Sequence, residues 1–119
     1  MVQDINNRIT FIIPTYNRKD LVGLAIDSAL SFISNDYEKY DIIVIDDCST
    51  DNTYEYLIQK YQNEIRNFTL KIITMPANSG VVAARNEGVK KTNSEWLVFL
   101  DSDNQFLKKN KKEFERILK

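Results

Sequence analysis

Histidine is absent from the chain, and cysteine occurs once, at Cys48. The first absence removes Ser-His-Asp and Cys-His catalysis and every histidine-ligated zinc or iron site. The second removes an intrachain disulfide and any thiolate cluster. Chemistry is left to carboxylates, hydroxyls, Lys and Arg, or to a metal with oxygen ligands, which means a hard ion such as Mg²⁺ or Mn²⁺. Excess charge is missing too: the formal net charge is −1, which gives no electrostatic case for nucleic acid as a partner. No apolar run approaches the roughly 20 residues that span a bilayer. The N-terminus carries no signal-peptide pattern, so a cytoplasmic protein is expected.

What is present is ordinary globular composition in 119 residues, enough for one domain with a real core. The most informative stretch is Trp96-Leu97-Val98-Phe99-Leu100-Asp101-Ser102-Asp103-Asn104. Its apolar run reads as a buried strand of a parallel sheet, and the two acids mark where the strand leaves the core. Ligands of open α/β sheets bind at the carboxyl ends of strands. Asp101 and Asp103 are therefore expected to hold a divalent cation and, through it, a phosphorylated ligand. A calcium EF-hand starting at Asp101 is excluded, because Gln105, Phe106 and Lys112 stand where that loop needs an oxygen ligand, Gly and Glu.

Ile9-Thr10-Phe11-Ile12-Ile13 reads as a first strand, ended by Pro14. Asn17 is placed to cap the next helix with Asp20 in the capping-box position, and that helix is expected to run to about Ser34 with Leu21, Ala25, Ser28, Ala29 and Phe32 inward. Asp41 to Ile45 is a second buried strand that ends in Asp46 and Asp47. A polar loop, Cys48 to Asn52, precedes a helix with a Tyr54, Leu57, Ile58, Tyr61 stripe. Thr69 to Met75 is a less apolar strand, nearer an edge. Val81 to about Lys91 is a short helix opened by Ser79 or Gly80, and a final helix buries Leu107, Phe114, Ile117 and Leu118.

This β-α-β-α-β-α-β-α alternation predicts an α/β fold: a Rossmann-like, doubly wound, mostly parallel sheet of strand order 3-2-1-4 with helices on both faces. The switch point falls between the first and fourth strands. There the Pro14-Thr15-Tyr16-Asn17 turn would face Asp101-Ser102-Asp103, with Asp46 and Asp47 alongside. One of Asp46 and Asp47 is expected to be a helix cap without a ligand, because neighbouring carboxylates raise one another's pKa. The Tyr16 ring either stacks on a nucleobase or caps the sheet end. Gly80 allows a tight turn and Gly88 close helix–strand packing. Arg85 either pairs with surface acids or offsets the aspartates and meets a diphosphate. Lys108, Lys109, Lys111 and Lys112 form a basic run that is either a solvated face or a contact with an anionic membrane.

Four segments carry a family resemblance: Phe11 to Arg18 (FIIPTYNR), Ile43 to Thr53 (IVIDDCSTDNT), Asn78 to Gly88 (NSGVVAARNEG) and Phe99 to Asn104 (FLDSDN). In this order and spacing the chain resembles the amino-terminal half of a family 2 glycosyltransferase with the GT-A fold. The resemblance implies transfer of a sugar, with inversion and divalent-metal assistance, from a nucleotide-diphosphate sugar to an acceptor such as a polysaccharide, cell-surface glycan or lipid-linked glycan. It places Pro14, Thr15 and Tyr16 against the base, Asp47 as acceptor of a hydrogen bond from it, and Arg85 near the nucleotide. Asn17 and Ser102 join the donor-binding set. Asp101 would contact the ribose or the metal's shell, and Asp103 would ligate Mn²⁺ or Mg²⁺ across the two phosphates.

Cys48 stands where the family most often has Gly, and Asn104 where it often has an acid. Residues 1–119 read as a single donor-binding domain with the acceptor-binding half, and its general base, absent. Weak nucleotide binding with poor turnover is the expectation. An exposed fourth strand would favour a homodimer, and peripheral association with the inner face of the membrane is a further expectation. Two other readings lose on motif order. A haloacid-dehalogenase-type phosphotransferase carries its Asp-x-Asp after the first strand and wants Thr or Val where Gln105 stands. A receiver domain needs five strands, its acids after the first, and a late strand-end Lys.

Overall fold

A computed structural model of the chain describes residues 8–34 and 36–101. Branched and aromatic residues build a first strand, Ile9–Thr15 (β1), buried along its whole length. Helix Lys19–Ile33 (α1) leads to a second strand, Tyr40–Asp46 (β2). Two helices follow, Thr53–Lys60 (α2) and the short Gln62–Arg66 (α3), then strand Leu70–Thr74 (β3), helix Val81–Lys90 (α4) and strand Trp96–Phe99 (β4). All strand pairs are parallel, and the sheet order is β3-β2-β1-β4, as the alternation predicts. β1 and β2 are central, which is why their apolar runs are unbroken.

Alternation along the strands divides the core between two faces. Ile9, Phe11 and Ile13 join α1, α2 and Tyr40 in the larger cluster. Its centre is an aromatic trio: Phe11 stacks on Tyr40 at 5.9 Å, and Phe32 meets both edge-on at 5.3 and 5.4 Å. On the other face Ile12, Ile43 and Ile45 pack beneath α4 through Ala84. Gly88 sets that separation. A Cβ there would lie 2.7 Å from Ile12 Cγ2 and 2.8 Å from Ile45 Cδ1, so only glycine fits without a shift.

Several local expectations are corrected. β1 continues through Pro14 to Thr15. Arg8 and Ile12 accept hydrogen bonds from Trp96 and Leu100, so the even-numbered peptides of β1 face β4, and the missing N–H of Pro14 falls where β4 has already ended. Asn17 does not cap α1, and Asp20 forms no capping box; Arg18 holds the N-cap position, and no side-chain hydrogen bond from it caps the helix. The cap comes from Asp51, whose Oδ2 accepts from the Lys19 N–H at 3.2 Å while Oδ1 accepts from the Thr53 N–H at 3.2 Å and from its hydroxyl. One carboxylate thus sits at the positive ends of α1 and α2. The inward face of α1 includes Val22, Ile26 and Ile33, and Leu21 is 41% exposed.

In the α2 stripe, Leu57 and Tyr61 are buried and Tyr54 is exposed. Tyr61 ends that helix, and its hydroxyl donates to Asp27 Oδ1 at 2.7 Å, fastening α2 to α1. β4 is the main surprise: Trp96 is 43% and Phe99 48% exposed. It pairs with β1 alone among the described residues, so its apolar run does not signal a central strand; only Leu100, just after it, is fully buried. The expected final helix and the Lys108 to Lys112 run lie outside the described residues, as do Ser102 and Asp103. Among the described residues no helix is long and apolar enough to cross a membrane.

Two predictions follow from this packing. Gly88→Val is expected to lower unfolding free energy by about 2 kcal/mol through overpacking against Ile12 and Ile45; an unchanged urea midpoint would show that α4 stands farther from the sheet. The second concerns pH. Burial pushes the Asp51 carboxyl up, but the Thr53 hydroxyl and the N–H groups of Lys19 and Thr53 together outweigh it and hold its pKa below the usual aspartate value. A depressed folded pKa gives stability that is present above the unfolded value and lost as pH falls through the folded one. Asp51→Ala should therefore cost about 1 to 2 kcal/mol at pH 7, and the gap to wild type should close toward pH 2 in denaturant titrations.

Candidate functional site

Strands β1, β2 and β4 release their chains at the same edge of the sheet, and a pocket of about 460 Å³ opens there. β1 contributes Pro14 and Thr15, and the turn after it Tyr16 and Arg18. β2 contributes Asp47, α4 contributes Val81, Ala84 and Arg85, and the end of β4 contributes Asp101. The pocket straddles β1 and β4, where the order of connections reverses, which is the general ligand position in open α/β sheets.

Asp47 is the most constrained of these groups. It is buried, and its own N–H donates to the Thr15 carbonyl at 2.9 Å. Its Oδ1 accepts from the Ser79 N–H and its Oδ2 from the Gly80 N–H, both at 2.8 Å. Gly80, at φ +96°, is the N-cap of α4, a conformation that glycine adopts without strain. One carboxylate thereby joins the ends of β1 and β2 to the start of α4.

Asp46 is directed elsewhere. Its Oδ1 accepts from the Ser49 hydroxyl and from the Ser49 N–H at 3.3 Å, and it does not line the pocket. Burial pushes its carboxyl pKa up, with the Ser49 hydrogen bonds acting in the opposite sense. Of the acidic pair, one thus closes its own loop and the other faces the pocket while clasping a helix start.

Asn17 also stays out of the pocket lining. At φ +52°, a region Asn tolerates, its N–H donates to Ser49 Oγ at 2.8 Å and its Oδ1 accepts from the Thr50 N–H at 2.7 Å. It ties the loop after β1 to the loop after β2 and so steadies Tyr16, its neighbour. Tyr16 is 42% exposed at the pocket wall, with ring surface available to a ligand.

The remaining wall is charged. Arg85 Nη2 lies 3.2 Å from Asp101 Oδ1, and the guanidinium sits 5.7 Å from the centre of the Phe99 ring. Two buried polar atoms in this lining, Thr15 Oγ1 and Arg85 Nε, have no hydrogen-bond partner among the described residues. Such groups cost about 1–3 kcal/mol each when left unmade. Ser28 Oγ and Thr69 Oγ1 share that state elsewhere in the fold, and the two in the lining are the ones whose residues face the cavity.

Among the described residues no cluster of three His, Cys, Asp or Glu side chains is present. Asp101 is nonetheless suited to a hard cation: it is an oxygen ligand at the pocket wall, its side chain is 66% exposed, and one neighbouring guanidinium engages it. Of the residues proposed from sequence, Pro14, Thr15, Tyr16, Asp47, Arg85 and Asp101 share this pocket. Arg18, Val81 and Ala84 were not singled out. The helical spacing of Val81, Ala84 and Arg85 puts all three on one face of α4, and that pattern was available in the sequence.

The model of glycosyl transferase family 2 matches residues 10–117. The chain is 31% identical over 100 residues to a putative teichuronic acid biosynthesis glycosyltransferase, TuaG, of Bacillus subtilis, a match covering 84% of this chain and 37% of that protein. It is 31% identical over 109 residues to the poly(ribitol-phosphate) beta-N-acetylglucosaminyltransferase TarS of Staphylococcus aureus, covering 89% of this chain and 18% of that one. The S. aureus TarS 1–349 structure in complex with UDP-GlcNAc superposes with a TM-score of 0.78 at 29% identity, over 93% of this chain and 31% of that one. The mannosyltransferase PcManGT of Pyrobaculum calidifontis, solved with GDP-Man and Mn²⁺, gives a TM-score of 0.71 at 25% identity, over 81% of this chain and 27% of that one. The chain thus spans well under half the length of these relatives, and what it shares with the solved ones is the GT-A fold. Because the family model covers nearly all of its length, the chain belongs to glycosyl transferase family 2.

Proposed function

We propose that this chain is the donor-binding part of an inverting glycosyltransferase and holds a nucleotide-diphosphate sugar in the strand-end pocket. The observation that carries the reading is the meeting of Tyr16, Asp47, Arg85 and Asp101 around one pocket whose lining retains two unpartnered polar atoms, Thr15 Oγ1 and Arg85 Nε. The relatives' complexes with UDP-GlcNAc and GDP-Man support the ligand class. Tyr16 would lie against the base. Each Asp47 oxygen is engaged by one backbone N–H and, as a carboxylate oxygen, retains further acceptor capacity for a base N–H.

At the other end, Arg85 and Asp101 flank the diphosphate. As the bond between the sugar's anomeric carbon and the phosphate oxygen breaks, its electron pair leaves with the nucleoside diphosphate, and negative charge grows on the phosphate oxygens. Arg85 is placed to offset that charge. A Mn²⁺ or Mg²⁺ bound through Asp101, with Asp103 as the partner the family resemblance implies, would supply Lewis-acid stabilisation of the same leaving group. Activation of the acceptor hydroxyl is assigned to none of the described residues.

Calorimetric titration with UDP, GDP, dTDP and CDP, each with and without Mn²⁺, tests the reading. At least one is expected to bind, more tightly with the metal, and a folded sample that binds none sinks it. Tyr16→Ala should weaken the preferred nucleotide about tenfold, the size of one lost base-stacking contact, with little change in thermal stability. An unchanged affinity would remove Tyr16 from the base site.

A further inference from the structure

Arg85 and Asp101 approach each other from two separately anchored elements. Asp101 follows Leu100, which is buried and donates its N–H to the Ile12 carbonyl at 3.0 Å. Arg85 lies one turn into α4, whose start is clasped by Asp47. Their contact is a single one, Nη2 to Oδ1 at 3.2 Å, with the two side chains 36% and 66% exposed. Guanidinium carries five N–H donors and pairs best with carboxylate in a two-bond fork. Here one donor meets one oxygen, and Nε is buried without an acceptor. As a purely structural ion pair it is poorly built: exposed single-contact pairs contribute little. Its position at the pocket wall suggests a temporary arrangement.

We propose that Arg85 is a stand-in cation for Asp101, holding its carboxylate until a divalent ion takes it and then turning its donors to the diphosphate that arrives with the ion. The inference rests on the donor-site reading above. A dication would be held by the Asp101 carboxylate, on which the guanidinium already stands. The two positive groups repel, and an ion arriving alone must displace Arg85 with no new acceptor to receive it. An ion arriving with a nucleoside diphosphate brings phosphate oxygens that satisfy both Nη2 and the orphaned Nε. Metal and nucleotide therefore favour each other's binding, and the coupling is reciprocal. Arg85 acts as a positioning residue that keeps the acidic site neutral when empty and biases it toward the metal–diphosphate pair over the metal alone.

Mn²⁺ binding, followed by electron paramagnetic resonance of the free ion, tests this with and without the nucleoside diphosphate that calorimetry shows to bind best. Arg85→Gln is expected to bind Mn²⁺ alone about fivefold more tightly than wild type, the order of a lost partly exposed ion pair plus relieved repulsion. The factor by which nucleotide tightens Mn²⁺ should fall several-fold in that variant. Arg85→Lys keeps the charge and should stay within about twofold of wild type for Mn²⁺ alone. Equal or weaker Mn²⁺ binding by Arg85→Gln, or an Arg85→Lys variant that behaves like it, overturns the proposal. Asp101→Asn separates this from the reading beneath it. Loss of Mn²⁺ binding in Asp101→Asn supports the stand-in role, whereas unchanged Mn²⁺ binding removes Asp101 as a ligand and overturns it. The donor-site reading stands or falls separately, on nucleotide binding in the calorimetric titrations.

Discussion

The carboxylate of Asp47 is the constraint on which the site depends. Each of its oxygens takes one backbone N–H at 2.8 Å, from Ser79 and Gly80, while its own N–H holds the last residue of β1. These are charge-assisted bonds in a buried setting, the stronger class of hydrogen bond. They fix where α4 begins, and α4 in turn carries Arg85. A single side chain after β2 therefore relates the two walls of the pocket. Asn17 and Asp51 do the same for the loops on the other side, by bonds that span 33 and 32 residues of sequence. Loops that would be free to wander in isolation are cross-braced, so Tyr16 and Arg18 rest on a defined turn.

Charge is distributed between scaffold and pocket in a way that suits an anionic ligand bound with a cation. Asp46 Oδ1 and both Asp51 oxygens are occupied by nearby hydroxyls and backbone N–H groups. Asp101 faces the pocket with one exposed arginine as its partner. Buried acids that serve the loops are thus satisfied within the protein, and the lining keeps its unmet polar groups, Thr15 Oγ1 and Arg85 Nε, where a ligand would enter. Ser28 Oγ and Thr69 Oγ1 are also unpartnered away from the pocket, so what marks the strand ends is that their two unmet groups stand beside charged side chains that line one cavity.

The sequence made the architecture legible because the strong signals were long and consistent. Apolar runs before Pro14 and Asp46 are of the kind that parallel sheets bury, and alternating helices dictate crossovers. Three strand ends then had to converge, which brought Pro14, Thr15, Tyr16, Asp47, Arg85 and Asp101 to one place. What escaped were effects decided by distant partners. The cap of α1 belongs to Asp51, not to the local Asn17: the Lys19 N–H donates to a carboxylate 32 residues away in the next crossover. Burial of Trp96 and Phe99 is expected from their apolar run and is not met, although the 3-2-1-4 order already sets β4 at the edge, where one flank has no strand to cover it among the described residues. The resemblance sets Asp47 apart from Asp46, but the helix clasp, expected of the acid without a ligand, belongs to Asp47, the one that faces the pocket, through loop geometry that residue type does not encode.

Gly88 gives the fold a property that a list of pocket residues would leave out. The separation between α4 and the sheet is set by hydrogen against Ile12 and Ile45, with no room for a methyl group. Arg85 lies three residues earlier on the same rigid rod. Any thickening of that contact lifts the rod, and a lift comparable to one carbon atom exceeds the distance over which a hydrogen bond keeps its strength. The hydrocarbon spacing beneath the helix is therefore a ruler for the ionic spacing above it. Variation at Gly88 would shift Arg85 relative to the pocket, so the determinants of the proposed diphosphate site include the dry side of α4.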